Sequence, residues 1–565
     1  MKKKLTPLVM ILFFVSCTKE LTTTEEQTLS NQPLKKGANY ADLYMSGFLN
    51  NKDNFNYKDH EAEISQEYSK ISRFIATRKQ FRADQQVGLR NKPNQLVINV
   101  PGDYPTLQEA IDNSQPYGKI VVKGAIVNAE SNPDYEGANV VLVDVPGLKI
   151  IGENNASVSE GFIGVFAENI EISKLKLNAY LFIDELGDGA KILDNSFTLP
   201  PNTYSFNATS ILMRGPSNCL IKGNTIKDVA GTLRFGIVGS DSENNSFISN
   251  TISGGVKTQE HIELYQAGGL GTRNNLIQDC ILENGGSIPF GGNALRIFGS
   301  RSGNTIKRCT IRNVEYYGIV FQSNDIFGPI VGSNNRIVDC KVSNYKGFGI
   351  RMESESLGLI SGCNVSNKNA NPVKTLGSEG IGLFGTDCKI VNCNSSYNNG
   401  PGIVLFGNPA GNGSVNQIIN SKSNNNRFFG ILYFAGFEQN SKADIKDSEA
   451  NNNTDLEQFG SILMQSSSTG STYTVANCKI NNNSGECSAG LVGYSLPGEA
   501  AKWIFQGNEV NKNFGGIYIE NSTMATIKSN KAINNTFGDF NQVNCSGTVL
   551  QGNKFGTSFV DLICN

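Results

Sequence analysis

Apolar and small polar residues alternate in short bursts along most of this chain, and the bursts repeat. NLIQDCILEN from Asn275, NTIKRCTIRN from Asn304 and NRIVDCKVSN from Asn335 have one layout: Asn, Ile two residues on, Cys at the centre, another apolar residue and a closing Asn. A short apolar strand recurring every ~20–30 residues predicts a solenoid, in which each unit buries its face against its neighbours. The central position can be followed as Leu175, Asn195, Asn224, Asn250, Cys280, Cys309, Cys340, Cys363, Cys393, Ser421, Ser448, Cys478, Asn508, Asn530 and Asn553. Small side chains in one column suit the inside of a narrow coil, stacked at strand spacing of about 4.8 Å. Four residues later stand Asn284, Asn313, Asn344, Asn367, Asn425, Asn452, Asn482 and Asn534. Asn tolerates left-handed backbone, so this column predicts a ladder of turns.

A second strand follows in each unit, usually opened by Gly, as at Gly236, Gly318, Gly349, Gly380, Gly402 and Gly430. Two residues past the opening, the outward column reads Val238, Glu263, Arg296, Val320, Arg351, Gly382, Val404 and Leu432. A further two along come Phe298, Phe384, Phe406, Phe434, Met464 and Tyr494, expected to point inward because a row of exposed large apolar residues is unusual. About fifteen coils would build a rod on the order of 70 Å long.

The segment ahead of the repeats divides differently. Lys2, Lys3 and Lys4 precede an apolar run, Leu8 to Val15, too short to span a bilayer as a helix. Residues 1–16 are expected to be a signal peptide and 17–58 a flexible tether rich in Thr, Glu, Asn and Lys. Residues 59–94 are expected to be a helical segment, in which Ile64, Tyr68, Ile71 and Ile75 recur at helical steps. That helix is expected to pack against the solenoid or its end.

Composition narrows the function. The formal net charge is −2, which gives no basic footprint for nucleic acid. Only His60 and His261 are present, which argues against a His-rich metal site or a Ser-His-Asp triad. Six of the 12 cysteines fill the central column where Asn and Ser also occur, and Cys219 and Cys388 share the opening-Asn column. All eight are expected to be buried thiols, since a bridge would fix its partner. Cys545 and Cys564, about one coil apart, are candidates for a terminal disulfide. No cofactor is expected, with Ca²⁺ left open, and no metal-ligand spacing appears.

Two resemblances add to this reading. Phe14-Val15-Ser16-Cys17 resembles the lipobox of bacterial lipoproteins, which implies Cys17 as the lipidated first residue of a protein anchored at the outer membrane or cell surface. INVPGDYPTLQEAIDNSQPYGKIVV, from Ile98, resembles the entry of the pectin-lyase-like right-handed parallel β-helices, in which a short helix (here Thr106 to Asn113) plugs the open end. The fold class is thus an all-β right-handed parallel β-helix over residues 95–565 with a short N-terminal capping helix, expected as a monomer.

Enzymes of that superfamily work on an outer sheet face. The resemblance implies a polysaccharide lyase acting on uronic acids, where a cation neutralises the carboxylate and a base takes the C5 proton. It would assign Arg296 and Arg351 to such roles, with Glu263, His261 and Lys346 as further catalytic candidates and Gln322, Glu353 and Phe298 contacting substrate. Glu260, Asp325 and Glu355 fall in the same coils. A hydrolase using Glu263 and Asp241 is a further enzymatic reading. The rival class is a non-catalytic glycan-binding or adhesive surface protein. The bland alternative makes Glu263 and Arg296 an exposed cross-strand ion pair worth well under ~1 kcal/mol. Both arginines are expected to be replaceable at small cost in stability.

Overall fold

The computed structural model describes residues 97–557 apart from 128–130, 133–137, 200–207, 268–270, 287–291, 324–328, 368–378, 409–412, 436–439, 455–459, 467–468, 486–487 and 500. The leader, tether and helical segment, with Cys17 and His60, lie outside the described residues, as do Asp325 and Cys564. The described chain is nearly all strand, and every strand pairing in it but one is parallel. It forms the β-helix that the repeat predicts.

Each coil feeds three sheets. The first contains Phe235–Ser240, Glu260–Tyr265, Asn293–Phe298, Ile319–Gln322, Ile350–Ser356, Ile381–Thr386, Ile403–Gly407 and Ile431–Phe434. The second contains Leu276–Gln278, Thr305–Lys307, Arg336–Val338 and Leu359–Ser361, and the third Ile281–Gly285, Thr310–Val314, Lys341–Tyr345 and Asn364–Ser366. Ile277, Ile306, Ile337 and Ile360 stack in register at the centre and are fully buried. The plug is the helix Leu107–Asp112. Thr106 caps it, its hydroxyl accepting from the Glu109 N–H at 3.1 Å. Gln108 accepts from the Leu142 N–H at 2.8 Å, which satisfies a donor on the first coil's strand.

Three columns of small polar residues pin the corners. Along the central column, where the next coil carries Asn, the backbone N–H donates to its side chain: Asn195 to Asn224, Asn224 to Asn250, Cys478 to Asn508, Asn508 to Asn530. The opening-Asn column does the same from Cys219 through Asn245, Asn275 and Asn304 to Asn335. A third ladder, Asn398, Asn426, Asn453, Asn483, Asn513 and Asn535, closes the corner between the third sheet and the first. The exposed column behaves as the turn ladder predicts: Asn284, Asn313 and Asn344 have φ near +58°, +58° and +53°, and their side-chain amides bond to one another. Asn367 departs from it. Its turn is one residue shorter, so its side chain is buried and accepts from the Tyr345 N–H at 3.1 Å.

The described cysteines are free thiols. In the central column each Sγ donates to backbone carbonyls, as Cys280 does to Phe247 and Gln278, both at 3.5 Å. Burial pushes the Cys219 and Cys478 thiols up to about 12. Thiol reagents are therefore expected to label Cys280, Cys309, Cys340 and Cys363 only after denaturation, as read by peptide mass spectrometry. Rapid labelling of the native protein would contradict this. The terminal bridge is not formed at Cys545, a free thiol whose Sγ donates to the Ile519 and Val543 carbonyls at 3.6 and 3.2 Å.

Candidate functional site on the outer face of the first sheet

The outward column has the register that the sequence predicts. Val238 pairs with Glu263, Glu263 with Arg296, Arg296 with Val320, Val320 with Arg351, Arg351 with Gly382, Gly382 with Val404 and Val404 with Leu432. Arg296 and Arg351 thus stand two coils apart on one face, roughly 10 Å at strand spacing. The alternate residues, Ile262, Leu295, Ile319, Ile350, Ile381, Ile403 and Ile431, enter the core.

The phenylalanine stripe shares the outward side. Phe384, Phe406 and Phe434 align with one another, while Leu383, Leu405 and Tyr433 point to the core. The Phe384 and Phe406 rings stack at 4.9 Å and 4°, and Phe434 meets Phe406 edge-on at 5.2 Å. Met464 is not in the stripe. It pairs with Tyr433 and fills the core, while Gln465 takes the outward place beside Phe434.

Burial is where the face departs from expectation. Glu263, Arg296 and Arg351 are 0, 2 and 1% exposed, so the exposed ion pair and the cheap arginine replacements both fall away. Glu260, Glu353 and Glu379 join them, all buried. Arg296 Nη1 lies 3.4 Å from Glu260 Oε1, which also accepts from Asn293 at 3.1 Å. Arg351 Nε lies 2.8 Å from Glu353 Oε1, and its Nη1 3.6 Å from Glu379 Oε1. The Arg351 guanidinium is held over two rings, Phe348 at 4.1 Å and Phe384 at 4.7 Å, and Arg296 over Phe298 at 5.2 Å. Desolvating so many ionised groups costs several kcal/mol each before pairing.

Other candidates land elsewhere. His261 occupies the opening-Gly position and turns into the coil, where its Nε2 lies 2.8 Å from the Glu283 carbonyl oxygen and its Nδ1 3.5 Å from that of Asn293. Room comes from Gly285, where a Cβ would overlap the imidazole; the following coils place Val314 and Tyr345 there. Burial holds this imidazole below the usual histidine range, against the pull of both carbonyls. It is a packing residue. Lys346 sits on an exposed turn, paired with Glu315. Asp241 lies past the end of its strand with φ +44°, its carboxylate accepting from the Ala267 and Gly271 N–H groups at 3.3 Å. Phe298 and the half-buried Gln322 do flank the cluster, as neighbours in one column. Glu353 also accepts from the Ser323 N–H at 2.9 Å.

Two features escape a linear reading. Glu379 stands just before Gly380, the place Glu260 holds before His261, so column counting from Glu260 would have found it. The other is a fully buried pair inside the coil, Arg301 Nε to Glu355 Oε1 at 2.8 Å. Arg301, Gly332 and Glu355 share one column, and a Cβ at Gly332 would overlap the Glu355 carboxylate. Burial pushes the Glu355 carboxyl up, against the pull of Arg301 and Asn335. Among the described residues, no group of three or more His, Cys, Asp or Glu side chains is disposed to hold a metal ion.

A family model described as "Right handed beta helix region" matches residues 164–328 and 291–440. No curated protein matches the sequence significantly. Solved structures that align include the catalytic domain of a GH87 alpha-1,3-glucanase in complex with nigerose, at 13% identity over 82% of this chain and 69% of that one, TM-score 0.36. The tailspike protein 3 of bacteriophage CBA120 aligns at 11% identity over 73% of this chain and 58% of that one, TM-score 0.37. Pectate lyase Pel9A aligns at 11% identity over 77% and 78%, TM-score 0.26. Likenesses this distant carry no argument about function.

Proposed function

We propose that this protein handles an extracellular polysaccharide on the outer face of its first sheet, between the coils of Glu260 and Glu379. One observation carries the reading. Six ionisable side chains gather in a few neighbouring coils of a face that elsewhere presents Val238, Val404 and Leu432. The repeat itself does not dictate charge at these places, because Val320 and Gly382 fill the same column beside the arginines. A planar cation between aromatic rings, flanked by carboxylates, is chemistry suited to sugar hydroxyls and acidic groups.

In a lyase acting on uronic acids, Arg351 or Arg296 would neutralise the substrate carboxylate and Glu263 is the remaining candidate base. Non-catalytic glycan binding is the second reading. It is favoured by the carboxylates already held by each guanidinium, since a uronate must displace Glu260, Glu353 or Glu379 to be gripped. Polygalacturonate, alginate, chondroitin sulfate and a neutral glucan, incubated with the protein, separate the readings. Growth of unsaturated-uronate absorbance supports the lyase, saturable binding without it supports the binder, and neither with any glycan would end the proposal.

We further propose that Cys17 carries a lipid that anchors the protein at the outer membrane or cell surface. Cys17→Ser is expected to move it from the membrane to the soluble fraction, read by fractionation and immunoblot. Unchanged membrane retention would contradict that.

A further inference from the structure

We propose that the outward face of the second sheet, from the coil of Lys191 to that of Ile419, rests on a lipid surface with anionic headgroups. The inference depends on neither the glycan reading nor a lipid at Cys17.

Each short strand of this sheet turns its middle residue into the core and its first and third residues outward. The two outward columns run in register from Lys191 and Leu193, through Leu276 and Gln278, to Gln417 and Ile419. Over these nine coils, about 38 Å at strand spacing, the columns hold five cations and no carboxylate. Glu171 and Asp444 stand just beyond the two ends. The chain as a whole has a net charge of −2, so the basic strip is a local feature.

The cations alternate with aliphatic side chains. Lys191 lies beside Leu220, Lys222 between Leu193 and Ile248, and Lys307 beside Val338, while Arg336 and Lys389 flank Leu359. Every coil of the strip but that of Lys307 adds a Leu, Ile or Val, and all of these are at least partly exposed. The third sheet has no such pattern: over the matching strands from Ser196–Thr198 to Asn394–Ser396, Ile281 is the one outward aliphatic residue. Apolar residues on an outer sheet face are thus particular to the second sheet.

Two further observations mark the strip as a contact surface. None of its five cations is ion-paired among the described residues, whereas Arg308 at the adjoining corner grips Asp279 at 2.7 and 2.8 Å, and Arg312 on the third sheet holds Glu283 at 2.6 Å. At the other corner Leu357, 51% exposed, stands where the neighbouring coils place Asn334 and Asp387. Its φ is +56°, a left-handed backbone that Asn and Asp tolerate and Leu does not favour. An exposed aliphatic residue is kept there against its backbone preference.

Charge and apolarity together select the partner. Five unpaired cations call for an anion, and a soluble anion would make no use of the aliphatic row. A second copy docked by a two-fold axis would set cations against cations. At a bilayer surface, Lys and Arg meet headgroup phosphates while Leu, Ile and Val reach the acyl boundary. The first sheet lies on another side of the coil, so the two surfaces do not compete.

The test uses the full-length chain with Cys17→Ser, so that no attached lipid carries the binding, sedimented with phosphatidylcholine vesicles with and without phosphatidylglycerol. Phosphatidylglycerol is expected to raise the bound fraction at least tenfold. Lys222→Glu, Arg336→Glu and Lys389→Glu together should abolish that gain. The same charge change on the third sheet, Lys176→Glu, Lys227→Glu and Lys341→Glu, should leave most of it. Leu220→Ser with Leu359→Ser, which alters no charge, should weaken binding at least threefold, each variant being compared at unchanged melting. Equal binding to the two vesicles, or equal loss in the two charge variants, overturns the proposal. Full vesicle binding by the leucine variant, with chondroitin sulfate binding lost in step in the Lys222, Arg336 and Lys389 variant, would identify a soluble polyanion as the partner and overturn the lipid.

Discussion

Replacing Arg301 with Met is expected to destabilise the solenoid by about 3–5 kcal/mol, the range for breaking a buried ion pair from one side. Both partners are fully buried, and the guanidinium does more than neutralise Glu355. Its Nη1 donates to the Gly299 and Gln322 carbonyls, each at 2.9 Å, and Nη2 donates to the Glu353 carbonyl. Met fills much of the volume but leaves the carboxylate with only the Asn335 amide, at 3.0 Å. The pH dependence has a definite sign. Glu355 has a folded-state pKa raised by burial, so the folded protein binds this proton more tightly than the unfolded chain, and stability rises as pH falls through the folded pKa. Losing Arg301 removes the opposing pull, so the deficit of the variant should shrink as pH is lowered from 7 toward 5. The variant with Glu355→Gln added should recover part of the loss at pH 7. Urea midpoints at both pH values read these effects, and a deficit independent of pH would show that lost packing, not the stranded carboxylate, is the cause.

Asn453→Leu is expected to cost on the order of 3 kcal/mol, because each buried partner left without a hydrogen bond costs about 1–3 kcal/mol. Asn453 accepts from the Asn426 N–H at 2.9 Å, and its amide donates to the Ser423 carbonyl and the Ser461 hydroxyl, both at 3.0 Å. Leu matches the shape and meets none of these. The exposed ladder makes the control. Asn313→Ala removes amide bonds to Asn284 and Asn344 that water replaces, so its cost should be about 1 kcal/mol or less, chiefly from a non-Gly residue without a polar side chain at φ +58°. Because solenoid repeats unfold semi-independently, hydrogen exchange of the neighbouring coils is the clearest readout. Equal effects at the two sites would show that burial does not set the value of a ladder.

The repeat made the fold legible because period carries topology. One Asn-Ile-Cys-Asn layout fixed the coil, the core isoleucines and the register of the outward column through Leu432. What it did not carry was space beyond the strand itself. That Arg296 and Arg351 are buried depends on neighbours remote in sequence, and no spacing rule reports them. His261 entered the coil because Gly285, 24 positions later, leaves room for its ring, a compensation visible only once the two columns are adjacent. Single-residue changes in loop length did the rest, turning Asn367 inward and moving Met464 into the core. The Arg301–Glu355 pair was missed because its partners are separated by a coil whose contribution is the missing side chain of Gly332.

The glycan site is tested most directly by hydrogen-exchange mapping of the intact protein with and without the panel polysaccharide that binds it most tightly. Slower exchange is expected in peptides covering 260–265, 293–298, 350–356 and 379–386, with the second and third sheets unchanged. Protection that falls instead on the second or third sheet, or on the far coils around Lys442–Lys446 and Thr472–Ala476, would contradict a site at Arg296 and Arg351.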